Sequence, residues 1–287
     1  MSAEPNSAFQ SNDDSVLKAA LIRRCALSEL VVARISEAER RLGVCFSDAA
    51  ISVGVVTPEE VEAARVTERR LVVVHRERVK PDASLTLIRD PFDPHSETVR
   101  SLRTELLLRR DTPGQADVMV VMSPCSGEGR SQLAAELAIA FSQLGQPTLL
   151  VDADLRHPRQ HILFGADNKQ GLSDAIALDV TPYLHPVEDL PHLSLLTAGP
   201  LPTNPLELLC DNRFEKLIDD WRSNFAYVVF DTAPVGKYSD ALAVATLVGR
   251  VLALCRAQHT PYTDTRNMLR RLAATQSRVL GAVVNHF

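Results

Sequence analysis

From residue 96 onward the sequence predicts an α/β domain with a doubly wound, mostly parallel sheet covered by helices on both faces. Two observations carry this. The runs "DVMVVM", "PTLLVDAD", "HLSLLTAG", "AYVVFD", "RVLALC" and "RVLGAVVN" are continuously apolar rather than alternating, as strands buried on both faces are. Between them lie "SQLAAELAIAFSQLG", "DNRFEKLIDDWRSNF", "SDALAVATLV" and "DTRNMLRRLAATQ", each with helical spacing, so strands and helices alternate along the chain.

Ahead of this domain, residues 15–80 read as a small helical domain without strand alternation, and residues 1–14 as a disordered terminus. The clearest helix start is "TPEEVEAARV". Thr57 can cap it, Pro58 suits the first helical position, and Glu60 completes a capping box. The stretch "HRERVKPDASLTLIRDPFDPHS" carries charge, three prolines and little periodicity. It reads as a linker over 81–95, with the domain boundary near Lys80.

Composition narrows the classes of function. With 31 basic and 36 acidic residues among 287, the formal charge is -5, which excludes a broad basic surface for nucleic acid. Five cysteines lie scattered without metal spacing, as in a reduced cytoplasmic protein. "MSAEPNSAFQSNDD" has no signal-peptide character, and no apolar run approaches the roughly 18–20 residues of a membrane span. Any membrane role is therefore expected to come through a partner.

In doubly wound sheets ligands bind at the carboxyl ends of the strands. The first strand is followed by "SPCSGEGRSQ", in which Gly127 and Gly129 let backbone N–H groups converge on an anion at a helix N-terminus. Ser126, Glu128 and Gln132 complete the candidate cradle, and Ser131 supplies a hydroxyl suited to magnesium. Arg130 stands where a phosphate-binding loop normally has lysine, and Pro124 replaces its first glycine. A tight glycine turn is the competing reading of this stretch alone. The second strand ends in Asp152 and Asp154, two apart and on one side of an extended chain, with Arg156 available to a carboxylate or a phosphate. A third, "YVVFDTAP", ends in Asp231. Three strand ends thus carry groups suited to one magnesium nucleotide.

Together these motifs resemble the bacterial tyrosine kinases (BY-kinases), P-loop proteins that act with membrane chain-length regulators of polysaccharide export. The match rests on "SGEGRS", "VDADLRHP", "VVFDTAP", "LPTNPLELL" and "SETVRSLRTEL", and spans about Asp90 to Phe287. The glycine loop and the helical extension look similar to the EpsG-type subgroup of exopolysaccharide clusters, and the extension also resembles the N-terminal domain of type II secretion ATPases. The resemblance implies a P-loop NTPase-like fold and ATP with Mg2+ as cofactors. It implies Arg130 on the phosphates, Ser131, Asp152 and Asp231 toward magnesium, Asp152 as acceptor of the substrate hydroxyl proton, and Asp154 assisting it. Asn285 matches the place where related ATPases hold the purine, though it equally suits a strand-end cap. Glu97, Arg100 and Arg103 reproduce the E-x-x-R-x-x-R pattern associated with ring-shaped homo-oligomers, though spacing of three also suits a solvated helix face. The partner implied is a membrane chain-length determinant, and the location is cytoplasmic, peripheral at the inner membrane.

Two departures divide the functional readings. Arginine spreads its charge over a planar fork, so Arg130 can bind phosphate yet displace the charge from where lysine holds it. The chain also stops at "VVNHF" without a tyrosine cluster, and its four tyrosines are Tyr183, Tyr227, Tyr238 and Tyr262, of which Tyr238 is the one near the strand-end motifs. The leading expectation is a Mg-ATP-dependent tyrosine kinase of exopolysaccharide synthesis. The alternative is a catalytically weak ATP-binding regulator of the export machinery, and a third reading is a MinD- or ParA-like partitioning ATPase. Cys125 is read as a small turn residue, His157 and His161 as solvent-facing, Tyr227 as core, and Trp221 as packing its helix on the sheet.

Overall fold

The computed structural model describes residues 21–22, 27–42, 44–58, 60–61, 78–110 and 115–286. The chain divides into two compact units, Met1–Val72 and Val73–Phe287. The terminus expected to be disordered, residues 1–14, lies outside the described residues.

The first unit contains α1 (Glu29–Leu42) and α2 (Phe46–Ser52). Leu21, Ile35, Phe46, Ala49, Ala50, Val56 and Val61 form its buried cluster. Gly54, at a φ of 72° that side chains disfavour, turns the chain after α2. The expected capping box is present: Glu60 N donates to Thr57 Oγ1 at 3.2 Å, and Thr57 N donates to Glu60 Oε2 at 2.8 Å. Thr57→Ala removes one acceptor from the first turn and is expected to lower this unit's stability by about 1 kcal/mol, read from its denaturant midpoint.

The second unit begins with α3 (Thr86–Arg89) and α4 (Pro94–Leu108) and continues through β1 (Asp117–Met122), α5 (Arg130–Ser142), β2 (Thr148–Asp152), α6 (Gln160–Leu163) and α7 (Leu172–Leu178). It then runs through β3 (His185–Val187), β4 (Leu190–Leu196), α8 (Pro205–Leu209), α9 (Asn212–Asn224), β5 (Tyr227–Asp231), α10 (Asp240–Val248), β6 (Arg250–Arg256), α11 (Tyr262–Ala273) and β7 (Arg278–Asn285). The sheet order is β3-β4-β2-β5-β1-β6-β7, and every pairing is parallel except β3 with β4. Six strands follow the apolar runs of the sequence; β3, "HPV", is too short to show a periodicity.

β1 and β5 are buried along their whole length, and α5 is buried from Ala134 to Ser142. This central helix buries Arg130 at its start and Glu136 within it. Glu136 is 1% exposed and accepts from His95 Nε2 at 2.5 Å, Thr86 N at 3.0 Å and Gln132 Nε2 at 3.2 Å. Its burial is therefore hydrogen-bonded rather than bare. Trp221 packs α9 onto the sheet, its ring 6.0 Å from Phe230 and 6.4 Å from Phe214. Tyr227 is buried and stacks on Phe141 at 4.4 Å.

The stretch read as a linker is part of this unit. Val79 bridges Val187 at the sheet edge, and Leu85 and Leu87 are buried with the main core. Charge and three prolines concealed these apolar anchors, which stand too far apart to produce a periodic signal. No helix among the described residues is long and apolar enough to cross a membrane.

Candidate functional site

Strand register brings the site together. In the β2–β5 pair Asp152 lies opposite Asp231, and in the β1–β5 pair Val121 lies opposite Asp231, two residues before the glycine-loop stretch begins at Ser123. The three motif-bearing strand ends are therefore adjacent. Gly127 and Gly129 adopt φ values of 76° and 94°, and a Cβ added at Gly127 would point into open space. A non-glycine residue at either position would be strained.

The loop is braced from behind by Glu128. This side chain is 1% exposed; it accepts from Cys125 N at 2.8 Å and from the Thr260 hydroxyl. Arg256 Nη1 donates to Gly127 O at 3.2 Å, and Asn285 Nδ2 donates to Glu128 O at 3.1 Å. Glu128 and Asn285 thus reach the loop as supports. Gln132, expected on the phosphates, turns its amide to Ser84 O at 2.8 Å and Glu136, because the packed 78–95 segment offers it acceptors.

Arg130 points inward. At 8% exposure it donates to Ser123 Oγ at 2.7 Å and to Asp154 Oδ2 at 3.3 Å, and its Nε lies 3.5 Å from Asp231 Oδ1. That oxygen is buried and accepts no hydrogen bond among the described residues. The guanidinium is the cation of the carboxylate cluster.

Asp152 is fully buried, with Oδ2 accepting from Arg159 N at 3.0 Å and Gln160 N at 2.9 Å, and Oδ1 from Asp154 N at 3.3 Å. Asp154 instead lines the open cavity, accepting from His157 N at 3.0 Å and from Arg130. Of the two acids at this strand end, Asp154 is the one that lines the cavity. Arg156 meets neither. It forms a fork on the buried Asp240, Nε to Oδ2 at 2.6 Å and Nη2 to Oδ1 at 3.0 Å, because α10 brings a carboxylate closer than the strand ends do.

Burial raises both Asp152 and Asp231 above the ordinary carboxylate range; proximity to Asp231 adds to the rise at Asp152, while Arg130 opposes it at Asp231. The folded state therefore holds these protons more tightly than the unfolded chain, and stability is lost as pH climbs from the ordinary carboxylate value through the raised ones. Nucleotide- and metal-free protein is expected to show a higher denaturant midpoint near about pH 5 than near about pH 8.

Gln160 gave no signal in the sequence. It is fully buried, and its side chain amide donates to Ser131 O at 3.0 Å and to Asp231 Oδ2 at 2.8 Å while its backbone N–H holds Asp152. One residue thus ties all three strand-end motifs together. The Ser131 side chain favours the charged form of Asp231. This oxygen set suits a hard cation completed by phosphate and water, and Oδ1 of Asp231, which accepts no hydrogen bond among the described residues and meets the Arg130 guanidinium, is the oxygen a cation would take over from it. Among the described residues no three His, Cys, Asp or Glu side chains converge as a closed metal site. Gln160→Leu is expected to weaken magnesium-dependent nucleotide binding by about 10–100-fold while sparing binding measured in a chelator, because it frees Asp231 to rotate.

A cavity of about 360 Å³ opens beside the glycine loop. Residues 126–132 form one side of it, and Asp154, His157, Arg159, Lys237 and Tyr238 face them. Burial, with Glu128 beside it, pushes the Cys125 thiol up to about 11, in keeping with an inert turn residue. His157 is exposed, but His161 is half-buried, and burial lowers its pKa. On α4, Arg100 pairs with Glu97 at 2.5 Å and Arg103 donates to Ala140 O at 2.7 Å, so within one chain this helix face is closed by local contacts.

No family model matches the chain. It is 30% identical over 197 residues to the putative tyrosine-protein kinase CapB of Staphylococcus aureus, a match covering 68% of this chain and 86% of CapB. It is 35% identical over 199 residues to the putative tyrosine-protein kinase EpsB of Ralstonia solanacearum, where the match covers 69% of this chain and 26% of EpsB. The solved structure of the chimerical protein CapA2B2 superposes with a TM-score of 0.67 at 31% identity, covering 77% of this chain and 97% of that one. With CapB covered over most of its length at 30% identity, the chain belongs to the bacterial tyrosine kinases, with their P-loop NTPase-like sheet.

Proposed function

We propose that the protein is a Mg-ATP-dependent protein tyrosine kinase of exopolysaccharide synthesis or export, held at the cytoplasmic face of the inner membrane by a membrane chain-length determinant. The observation that carries this reading is the meeting of the glycine loop with Asp154 at one cavity, where Arg130 links Asp154 to the buried Asp231, itself paired with Asp152 across β2 and β5. Such an arrangement can hold the phosphates on loop N–H groups and magnesium on Ser131 and Asp231, with Asp154 facing the incoming hydroxyl. Magnesium, when bound, neutralises charge developing on the phosphates. Asn285 stands beside the loop, in keeping with a contact to the purine. Exposed Glu97 on α4 and Phe92, 91% exposed in the turn ahead of it, mark the surface proposed for homo-oligomer contacts, where Arg100 and Arg103 would exchange their local partners for those of a second copy.

One observation favours a second reading, an ATP-binding regulator of assembly with little turnover. Arg130 is committed to Asp154 and Asp231 and must leave them to reach a phosphate. Calorimetric ATP binding with magnesium and with chelator, followed by labelled transfer to the protein and to a glutamate–tyrosine polymer, separates the two. Binding with steady transfer is expected. Binding that drives assembly in light scattering without transfer gives the regulator reading, and absence of binding overturns both.

A further inference from the structure

The chain has four tyrosines, and their surroundings differ sharply. Tyr227 is buried in the core, Tyr262 is 77% exposed at the start of α11, and Tyr183 packs edge-on against His185 at 4.6 Å. Tyr238 is half-buried and lines the same cavity as the glycine loop and Asp154. Its ring is held in place. The Arg156 guanidinium lies 4.2 Å from the ring centroid, and Arg156 is itself fixed by the two-pronged pair with buried Asp240. The His157 ring approaches from another side, 6.4 Å away between centroids. A cation over an aromatic face and a second ring beside it restrict the side chain without using its hydroxyl. Among the described residues no hydrogen bond engages that hydroxyl, although the residue stands in a cavity rich in donors and acceptors.

We infer that Tyr238 is a phosphate acceptor of this protein's own site, modified within the same chain; this rests on the kinase reading above. In that step the phenolic oxygen forms a bond to the γ-phosphorus of ATP, and the bond from that phosphorus to the β,γ-bridging oxygen breaks. ADP leaves with the bonding pair. The phenolic proton passes to Asp154, the carboxylate that faces the cavity, and from there to water. A tether of a few residues between Asp231 and Tyr238 keeps acceptor and donor in one site, so the reaction is unimolecular in the protein. Lys237 and Arg159, also on the cavity wall, offer positive charge to the dianionic product.

The test is intact mass and phosphopeptide mapping of the full chain after incubation with Mg-ATP, repeated across a wide dilution series, with Tyr238→Phe alongside and a glutamate–tyrosine polymer as external acceptor. One phosphate on Tyr238, gained at a fractional rate independent of protein concentration and missing from Tyr238→Phe, is expected. Phosphate on Tyr183 or Tyr262 instead, or a rate that falls with dilution, overturns the inference. If the polymer is phosphorylated while Tyr238 stays unmodified, the inference fails and the kinase reading stands; if neither receives phosphate, both fail. A readout without transfer is nitration of Tyr238 by tetranitromethane. A magnesium complex of a non-hydrolysable ATP analogue is expected to slow it several-fold relative to Tyr262, and equal rates with and without the analogue would also overturn the assignment.

Discussion

Arg130→Ala is expected to destabilise the nucleotide-free protein by about 3–5 kcal/mol, the cost of removing one partner from a buried ionic cluster. The guanidinium lies against Asp154 and Asp231 with Asp152 next to them, and all three carboxylates are 3% exposed or less. Without it the cluster has to take up protons or open to water, so the deficit should grow as pH rises. Urea denaturation at two pH values checks this. Magnesium is expected to restore more stability to the variant than to the wild type, because the free Oδ1 of Asp231 then meets a cation again. A loss below about 1 kcal/mol, typical of an exposed pair, would show that the arginine is not the cluster's counter-ion. Arg130→Lys keeps the charge but reaches fewer acceptors, and its stability should fall between the two.

This inward arginine also marks the limit of what the sequence conveys. Continuous apolar runs ending in Asp152 and Asp231 were legible, because strands covered on both faces admit a carboxylate only where they leave the sheet. The direction of Arg130 was not. It depends on β2 pairing with β5 so that Asp152 and Asp231 come opposite one another, a non-local fact that no motif encodes. Gln160 sits in "HPRQHILF", a stretch with no strand or long-helix periodicity, and becomes informative only once three strand ends surround it. Arg156 illustrates the same limit, since its partner Asp240 is 84 residues away. The 78–95 segment failed differently: its anchors Val79, Leu85 and Leu87 are single apolar residues among prolines and charges, and composition outweighed them.

Asp154→Asn is expected to lower phosphoryl transfer by about 10²–10⁴-fold, the usual contribution of a positioned proton acceptor. The resemblance to the bacterial tyrosine kinases implied Asp152 for this role, two residues earlier on the same strand end. In the folded chain Asp152 is fully buried and spends both oxygens on the backbone N–H groups of Asp154, Arg159 and Gln160, which fixes the turn leaving β2. An acceptor must reach the hydroxyl it deprotonates, and Asp154 is the member of the pair that lines the cavity. Paired variants separate the roles. Asp152→Asn places an amide where backbone donors point, so its main expected effect is a lower denaturant midpoint, with transfer per folded molecule changing less than in Asp154→Asn. Because Asp154 also holds Arg130, its variant should alter the ATP concentration for half-saturation as well, while the fall in turnover at saturating ATP isolates the proton step. A turnover loss concentrated in Asp152→Asn instead would mean that nucleotide binding rebuilds this strand end and brings the buried carboxylate into the cavity.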